Sequence, residues 1–103
     1  MGENQIVQKP RTKTKTVVER PKLYKVILFN DDYTPRDFVV LVLSLVFRTG
    51  PEAAQKIMIT AHMKGSCVVA VYTRDIAETK VKEAMDLAKE AGFPLMFKAE
   101  PEE

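Results

Sequence analysis

The chain of 103 residues has one cysteine, one histidine, four glycines and no tryptophan. A lone thiol, Cys67, cannot close an internal disulfide, and a zinc site built on cysteines is excluded with it. Long hydrophobic runs are also missing. The longest, Phe38 to Phe47, is broken once at Ser44 and is about half the roughly 20 residues that a membrane-spanning helix needs, so it belongs to a core. Nothing near the N-terminus resembles the apolar centre of a signal peptide, which leads us to expect a cytoplasmic protein. Proline and glycine are too few for a collagen-like or low-complexity chain. What remains, 46% apolar and 29% charged residues, is the composition of one small globular domain. A chain this short buries about 65% of its unfolded surface, enough for one core and a shallow pocket.

The net charge of +2 is unevenly spread. Residues 1–22 carry Lys9, Arg11, Lys13, Lys15, Arg20 and Lys22 against Glu3 and Glu19, a balance of +4, which leaves −2 for the rest. This leader cannot bury enough apolar surface to offset its ordering entropy, so we expect a mobile basic extension over 1–22 followed by one domain over 23–103. Six cations without an interleaved aromatic are a weak signal for nucleic acid or membrane, and neither is expected as a partner.

Along the domain, Leu23 to Phe29 reads as a buried strand ending at Asn30-Asp31-Asp32. Phe38 to Phe47 fits a strand or a helix by composition. Thr34 as a cap, Pro35 at the first helical position and Asp37 returning a capping-box bond decide for helix. Thr49-Gly50-Pro51 supplies a stop and a new start. Ala54, Ile57, Met58 and Ala61 then form one apolar stripe, which His62 borders, and Gly65 closes that helix. Cys67 to Tyr72 reads as a strand. Ala77, Val81, Ala84, Met85 and Ala88 form the stripe of a third helix stopped by Gly92, and Pro94 introduces a last strand over Leu95 to Lys98 before an acidic end that frays. The pattern predicts an α+β fold in the order β-α-α-β-α-β, with helices on one face of a small sheet.

Three polar or apolar groupings could carry chemistry. Asn30-Asp31-Asp32 between a strand and a helix is a cluster of acceptors for a metal or an ammonium group, or simply a turn whose acids favour the positive end of a helix. By itself it offers too few oxygens for a hard metal. His62 could act with Cys67 as a dyad or be a satisfied, partly buried ring. Leu28, Phe29, Met58 and Leu95 near element ends could be pocket or plain core.

The wording of the chain goes further. Tyr24-Lys25-Val26-Ile27-Leu28 followed by Asn30-Asp31-Asp32-Tyr33-Thr34-Pro35 closely resembles the start of the ClpS family of proteolytic adaptors. So do Ala61-His62 with Gly65, Val71-Tyr72-Thr73 running into Ala77-Glu78-Thr79-Lys80-Val81, and Pro94-Leu95. The resemblance covers about Leu23 to Phe97. It implies a three-stranded antiparallel sheet with three helices, like the C-terminal domain of the ribosomal stalk protein. It also implies an adaptor rather than an enzyme, without metal or cofactor. Such adaptors bind N-degron proteins, those whose free N-terminal residue is bulky (Leu, Phe, Tyr or Trp), and deliver them to a ClpA-type AAA+ unfoldase.

Residue by residue, the resemblance assigns the α-amino group to Asn30 and His62 directly, with Asp31 and Asp32 supplying field and water-mediated bonds. Leu28, Phe29, Thr34, Arg36, Val39, Met58, Ala61 and Leu95 would line the side-chain pocket. Asp75, Glu78, Thr79 and Lys80 would dock on the N-terminal domain of the unfoldase, and the leader would engage it during delivery. An ammonium offers three donors, and the Asn30 carbonyl, the two carboxylates and a neutral His62 nitrogen are acceptors of the right kind. Three positions depart from the family. Arg36 stands where a gating Met is common, Ala61 where Val is usual, and Phe29 replaces an aliphatic residue, which bears on how the four bulky side chains rank. Three rivals remain open at this point: a stalk-type interaction domain, a small metal-dependent hydrolase using Asp31, Asp32 and His62, and a nucleic-acid binder resting on the leader.

Overall fold

A computed structural model describes residues 20–102, so the expectation for the leader falls, over residues 1–19, outside the described residues. The order is β1 (Leu23–Phe29), α1 (Arg36–Phe47), α2 (Pro51–Lys64), β2 (Ser66–Thr73), α3 (Arg74–Ala91) and β3 (Met96–Pro101). The central strand is β1, antiparallel to both β2 and β3. The α+β order expected from the sequence is the one observed.

The register fixes two ends of the molecule. At one end Phe29 lies opposite Ser66 and Met96, while at the other Leu23 pairs with Thr73 and Tyr24 with Pro101. The first end gathers the exit of β1, the start of α1, the end of α2 and the entry to β3. A register shift between Val26 and Ile27 leaves Val69 as an extra residue on β2, a bulge that bends an exposed edge strand.

Val26, Leu28 and Phe97 from the sheet meet Val42, Leu43, Val46 and Phe47 of α1 in the core. Ala54 and Ala61 of α2 and Ala77, Ala84 and Ala88 of α3 are all buried. Small residues there let the helices approach the sheet closely, and the larger side chains of α1 fill the middle. The Phe47 and Phe97 rings lie 5.2 Å apart, and Phe38 meets Phe93 at 4.9 Å, within the range of favourable aromatic pairs. On the other sheet face Ile27 is itself buried, but its cross-strand neighbours Val68 and Lys98 are exposed.

Helix ends depart from expectation in instructive ways. The segment 38–47 is helical, but Thr34 does not cap it: the N-cap residue is Pro35, and no side chain bonds to the first turn. The Thr34 hydroxyl donates a hydrogen bond to Asp31 Oδ2 instead, at 2.9 Å. Gly50 is not the stop of α1 either. Arg48 takes the left-handed conformation (φ 59°), and the N–H groups of Arg48 and Thr49 turn back to the Leu43 carbonyl. Gly50 is the N-cap of α2, with Pro51 first in the helix as expected. Gly65 and Gly92, both at positive φ, end α2 and α3 where glycine is favoured. Leu95 lies just before β3, and the C-terminal residues pair further than expected, through Pro101, with Glu102 N–H bonded to Leu23 O at 2.9 Å.

Candidate functional site

A cavity of about 340 Å³ opens at the end of the sheet where β1 leaves it. Its floor is apolar because several elements end there together. Leu28 comes from the last turn of the pleat in β1, Val39 from the first turn of α1, Ala61 from the last turns of α2, and Leu95 from the approach to β3; all four line the cavity and are buried. Met58 and Phe29 complete the wall at intermediate exposure, and Thr34 and Arg36 reach it from the loop and the start of α1. Arg36 is exposed, which suits a charged head kept in water above a methylene stem.

The mouth is polar. The Asn30 N–H donates to Gly65 O at 3.0 Å, tying the strand exit to the end of α2. That bond sets Asn30 beside the helix turn that carries His62. Both residues are exposed and line the cavity. Among the described residues neither side chain has a hydrogen-bond partner, so their acceptors face solvent. His62 is therefore not the satisfied, partly buried ring that was one reading of the sequence.

Asp31 behaves differently. Its Oδ1 accepts the N–H groups of Tyr33 and Thr34, both at 2.8 Å, and its Oδ2 accepts the Thr34 hydroxyl. This Asx-type turn rigidifies the loop while leaving a negative charge at the mouth. Asp32 is exposed beside it.

All twelve residues expected at the amine site and pocket border this one cavity. Tyr33, Pro35 and Ile59 line it as well, and the sequence reading did not single them out for the pocket. The first two lie inside the motif, and Ile59 stands three residues before His62 on α2, so helical spacing was the available signal.

The four docking candidates lie elsewhere, on α3. Asp75, Glu78 and Thr79 are exposed, and Glu78 accepts from Arg74 Nε at 3.1 Å. Lys80 is half-buried, and its ammonium donates to Val46 O at 2.9 Å, satisfying a carbonyl orphaned at the end of α1.

This geometry removes chemistry from two rival readings. Asp31 is engaged by its own loop, and among the described residues no three His, Cys, Asp or Glu side chains converge as metal ligands. Cys67 is not in the cavity wall. Burial pushes its thiol above the usual range, with Lys64 and Thr60 opposing, which makes it a poor nucleophile. No helix among the described residues is long and apolar enough to cross a membrane.

A small α+β domain with an apolar cavity under a rim of free acceptors is a binding module. Residues 19–98 match the family model described as "ATP-dependent Clp protease adaptor protein ClpS", and the chain belongs to that family of non-catalytic Clp protease adaptors. It is 60% identical to the adapter protein ClpS 2 of Agrobacterium fabrum, over the full length of both chains. It is also 60% identical to ClpS 1 of Bradyrhizobium diazoefficiens, covering 97% of this chain and 99% of that one. Among solved structures it resembles Agrobacterium tumefaciens ClpS2 bound to L-phenylalaninamide, with a TM-score of 0.79 and 66% identity over 81% of this chain and all of that one.

Proposed function

We propose that this adaptor recognises proteins by a free, bulky hydrophobic N-terminal residue and delivers them to a ClpA-type AAA+ unfoldase of the Clp protease in the cytoplasm. The observation that carries the reading is the pairing of an apolar-floored cavity with acceptors at its mouth that have no partner among the described residues. Asn30 and His62 accept from the substrate ammonium, and Asp31 and Asp32 supply a negative field and water-mediated bonds. The first side chain enters between Leu28, Phe29, Thr34, Val39, Met58, Ala61 and Leu95, with the Arg36 stem at the rim. Burying it contributes about 1.5–3 kcal/mol. An internal peptide bond brings no ammonium and would leave the acceptors unpaired, which is how the site rejects ordinary chain. The phenylalaninamide bound by the Agrobacterium relative has a free amine and a phenyl ring, the two features this site is suited to hold.

Delivery rests on other surfaces. Asp75, Glu78, Thr79 and Lys80 on α3 form the docking row for the N-terminal domain of the unfoldase, and the extension 1–22 engages the same partner during transfer.

The test is a pair of labelled peptides beginning with Phe, one with a free amine and one N-acetylated, titrated by fluorescence anisotropy. The free peptide binds, and the acetylated one loses at least about tenfold, the worth of one charge-assisted hydrogen bond. A free peptide amine titrates near pH 8, so its binding also weakens on going from pH 7 to 9.5. Equal affinity for the two peptides would overturn the reading.

A further inference from the structure

The mouth of the cavity has two unlike walls. One is the loop with Asp32 and Tyr33, the latter 80% exposed. The other is the end of α2, where Ile59 lines the cavity and Met63 stands one turn further on. Residues four apart share a helix face, and a helical side chain leans back over the preceding turn, so Met63 covers surface toward Ile59. The two are 50% and 76% exposed and take no part in the core, which α2 reaches through Ala54 and Ala61. They form an apolar ridge with His62 beside it, continuous with the cavity and uncovered among the described residues.

We infer that the Ile59–Met63 ridge is a second recognition site, which takes an apolar side chain at the third position of the bound protein. The inference rests on the N-terminal reading above. With the ammonium at Asn30 and His62 and the first side chain in the cavity, the rest of the substrate must leave through the mouth. An extended chain alternates faces, so the second side chain points away and the third returns to the protein roughly 6.5 Å further on. The ridge begins in the cavity wall and continues for one helical turn, about 5.4 Å, which matches that step. Methionine adapts to many apolar shapes, so the ridge selects for apolar character rather than for one residue.

Six titrations decide it. Peptides beginning Phe-Ser-Ser, Phe-Ser-Leu and Phe-Leu-Ser, with one common tail, are titrated against the full chain and against the variant Met63→Ser, which lies outside the cavity wall. Met63 is 76% exposed, so the variant folds, and its affinity for the Phe-Ser-Ser peptide is the internal control. Leu at position three tightens binding roughly three- to tenfold in the native chain, as expected for partly burying one side chain, and the Met63→Ser variant loses that gain alone. No gain, a gain that survives in the variant, or a gain confined to position two overturns the ridge. If Phe-Ser-Ser itself fails to bind, the N-terminal reading falls first and takes the ridge with it.

Discussion

The two ends of the molecule treat their polar groups in opposite ways. Where Leu23, Thr73 and the first turns of α3 meet, charges are spent within the chain: Arg74 on Glu78, and Lys80 on the Val46 carbonyl. At the cavity end, Asn30 and His62 have no side-chain partner among the described residues and border a cavity floored by buried apolar residues. Polar groups on a folded surface can be served by water, so exposure alone says little. Two acceptors unpartnered among the described residues, both bordering one cavity with an apolar floor of Leu28, Val39, Ala61 and Leu95, are a different matter. They add nothing to the packing of the fold, and their arrangement makes sense when a ligand supplies both a cation and a hydrophobic group.

The comparison predicts a clean division between binding and stability. Asn30→Ala and His62→Ala should each weaken binding of a free Phe peptide by at least about tenfold, and together by more than a hundredfold, since each removes a hydrogen bond to a charged group. Neither should move the denaturation midpoint by more than the equivalent of about 0.5 kcal/mol, as for other surface substitutions. A large loss of stability in either variant would mean that these side chains serve the fold after all.

Asp31 is the residue that could blur the division, because it lies at the binding end yet is internally paired. Asp31→Ala removes the acceptor of three bonds in an exposed loop, and should cost about 1–2 kcal/mol of stability together with peptide affinity. Asp31→Asn keeps an acceptor for the turn and loses the charge. Chemical denaturation should therefore find Asn close to the native chain, while peptide titration finds it weakened. If Asn binds as well as Asp, the negative field at the mouth contributes nothing.

How much of this was legible beforehand follows the same physics. Strand β1, the Pro51 start and the glycine stops at 65 and 92 were readable because each rests on a local rule. The end of α1 was not. Arg48 takes the left-handed role that Gly50 was expected to fill, and Lys80, distant in sequence, satisfies the Val46 carbonyl. Thr34 was misread as a cap because Asp31 competes for its hydroxyl, and a side chain with two local partners cannot be assigned from sequence alone. The last strand was read too short, because Glu100 and Pro101 are poor strand formers that pairing with Tyr24 and Lys25 overrides. The pocket was read from family wording rather than from pattern. Its floor is assembled from four separate elements, and no local periodicity brings Leu28, Val39, Ala61 and Leu95 together.

At the other end, Lys80→Met keeps the aliphatic stem and removes the ammonium. The Val46 carbonyl then loses its donor, at a cost of about 1 kcal/mol that thermal unfolding would detect, with peptide affinity unchanged. Lys80→Arg should recover part of the loss, since the guanidinium also donates. A Met variant as stable as the native chain would show that water replaces the ammonium without penalty.

The smallest effect expected concerns which bulky residue is preferred. Arg36 stands at the first position of α1, exposed and at the cavity rim, and Ala61 is a buried part of the wall. A cation in the first turn is mildly disfavoured by the helix dipole, and burying the guanidinium in an apolar cavity would cost far more, so the head stays outside while the stem forms a loose rim. Ala61 leaves the wall two methyl groups short of a valine. A wider cavity suits flat aromatic rings, over whose faces the guanidinium can also lie at cation–π distance. A Leu side chain would fill the same space less completely and forfeit contacts on its open side. Phe, Tyr and Trp peptides should therefore bind more tightly than a Leu peptide, by on the order of 1 kcal/mol, the value of a methylene or so. The double substitution Arg36→Met, Ala61→Val should narrow that gap by restoring a close wall around Leu, while the N-acetylated peptides stay excluded because Asn30 and His62 are untouched. A native chain that binds Leu as tightly as Phe, or a double variant with an unchanged ranking, would show that the width of the cavity does not set the preference.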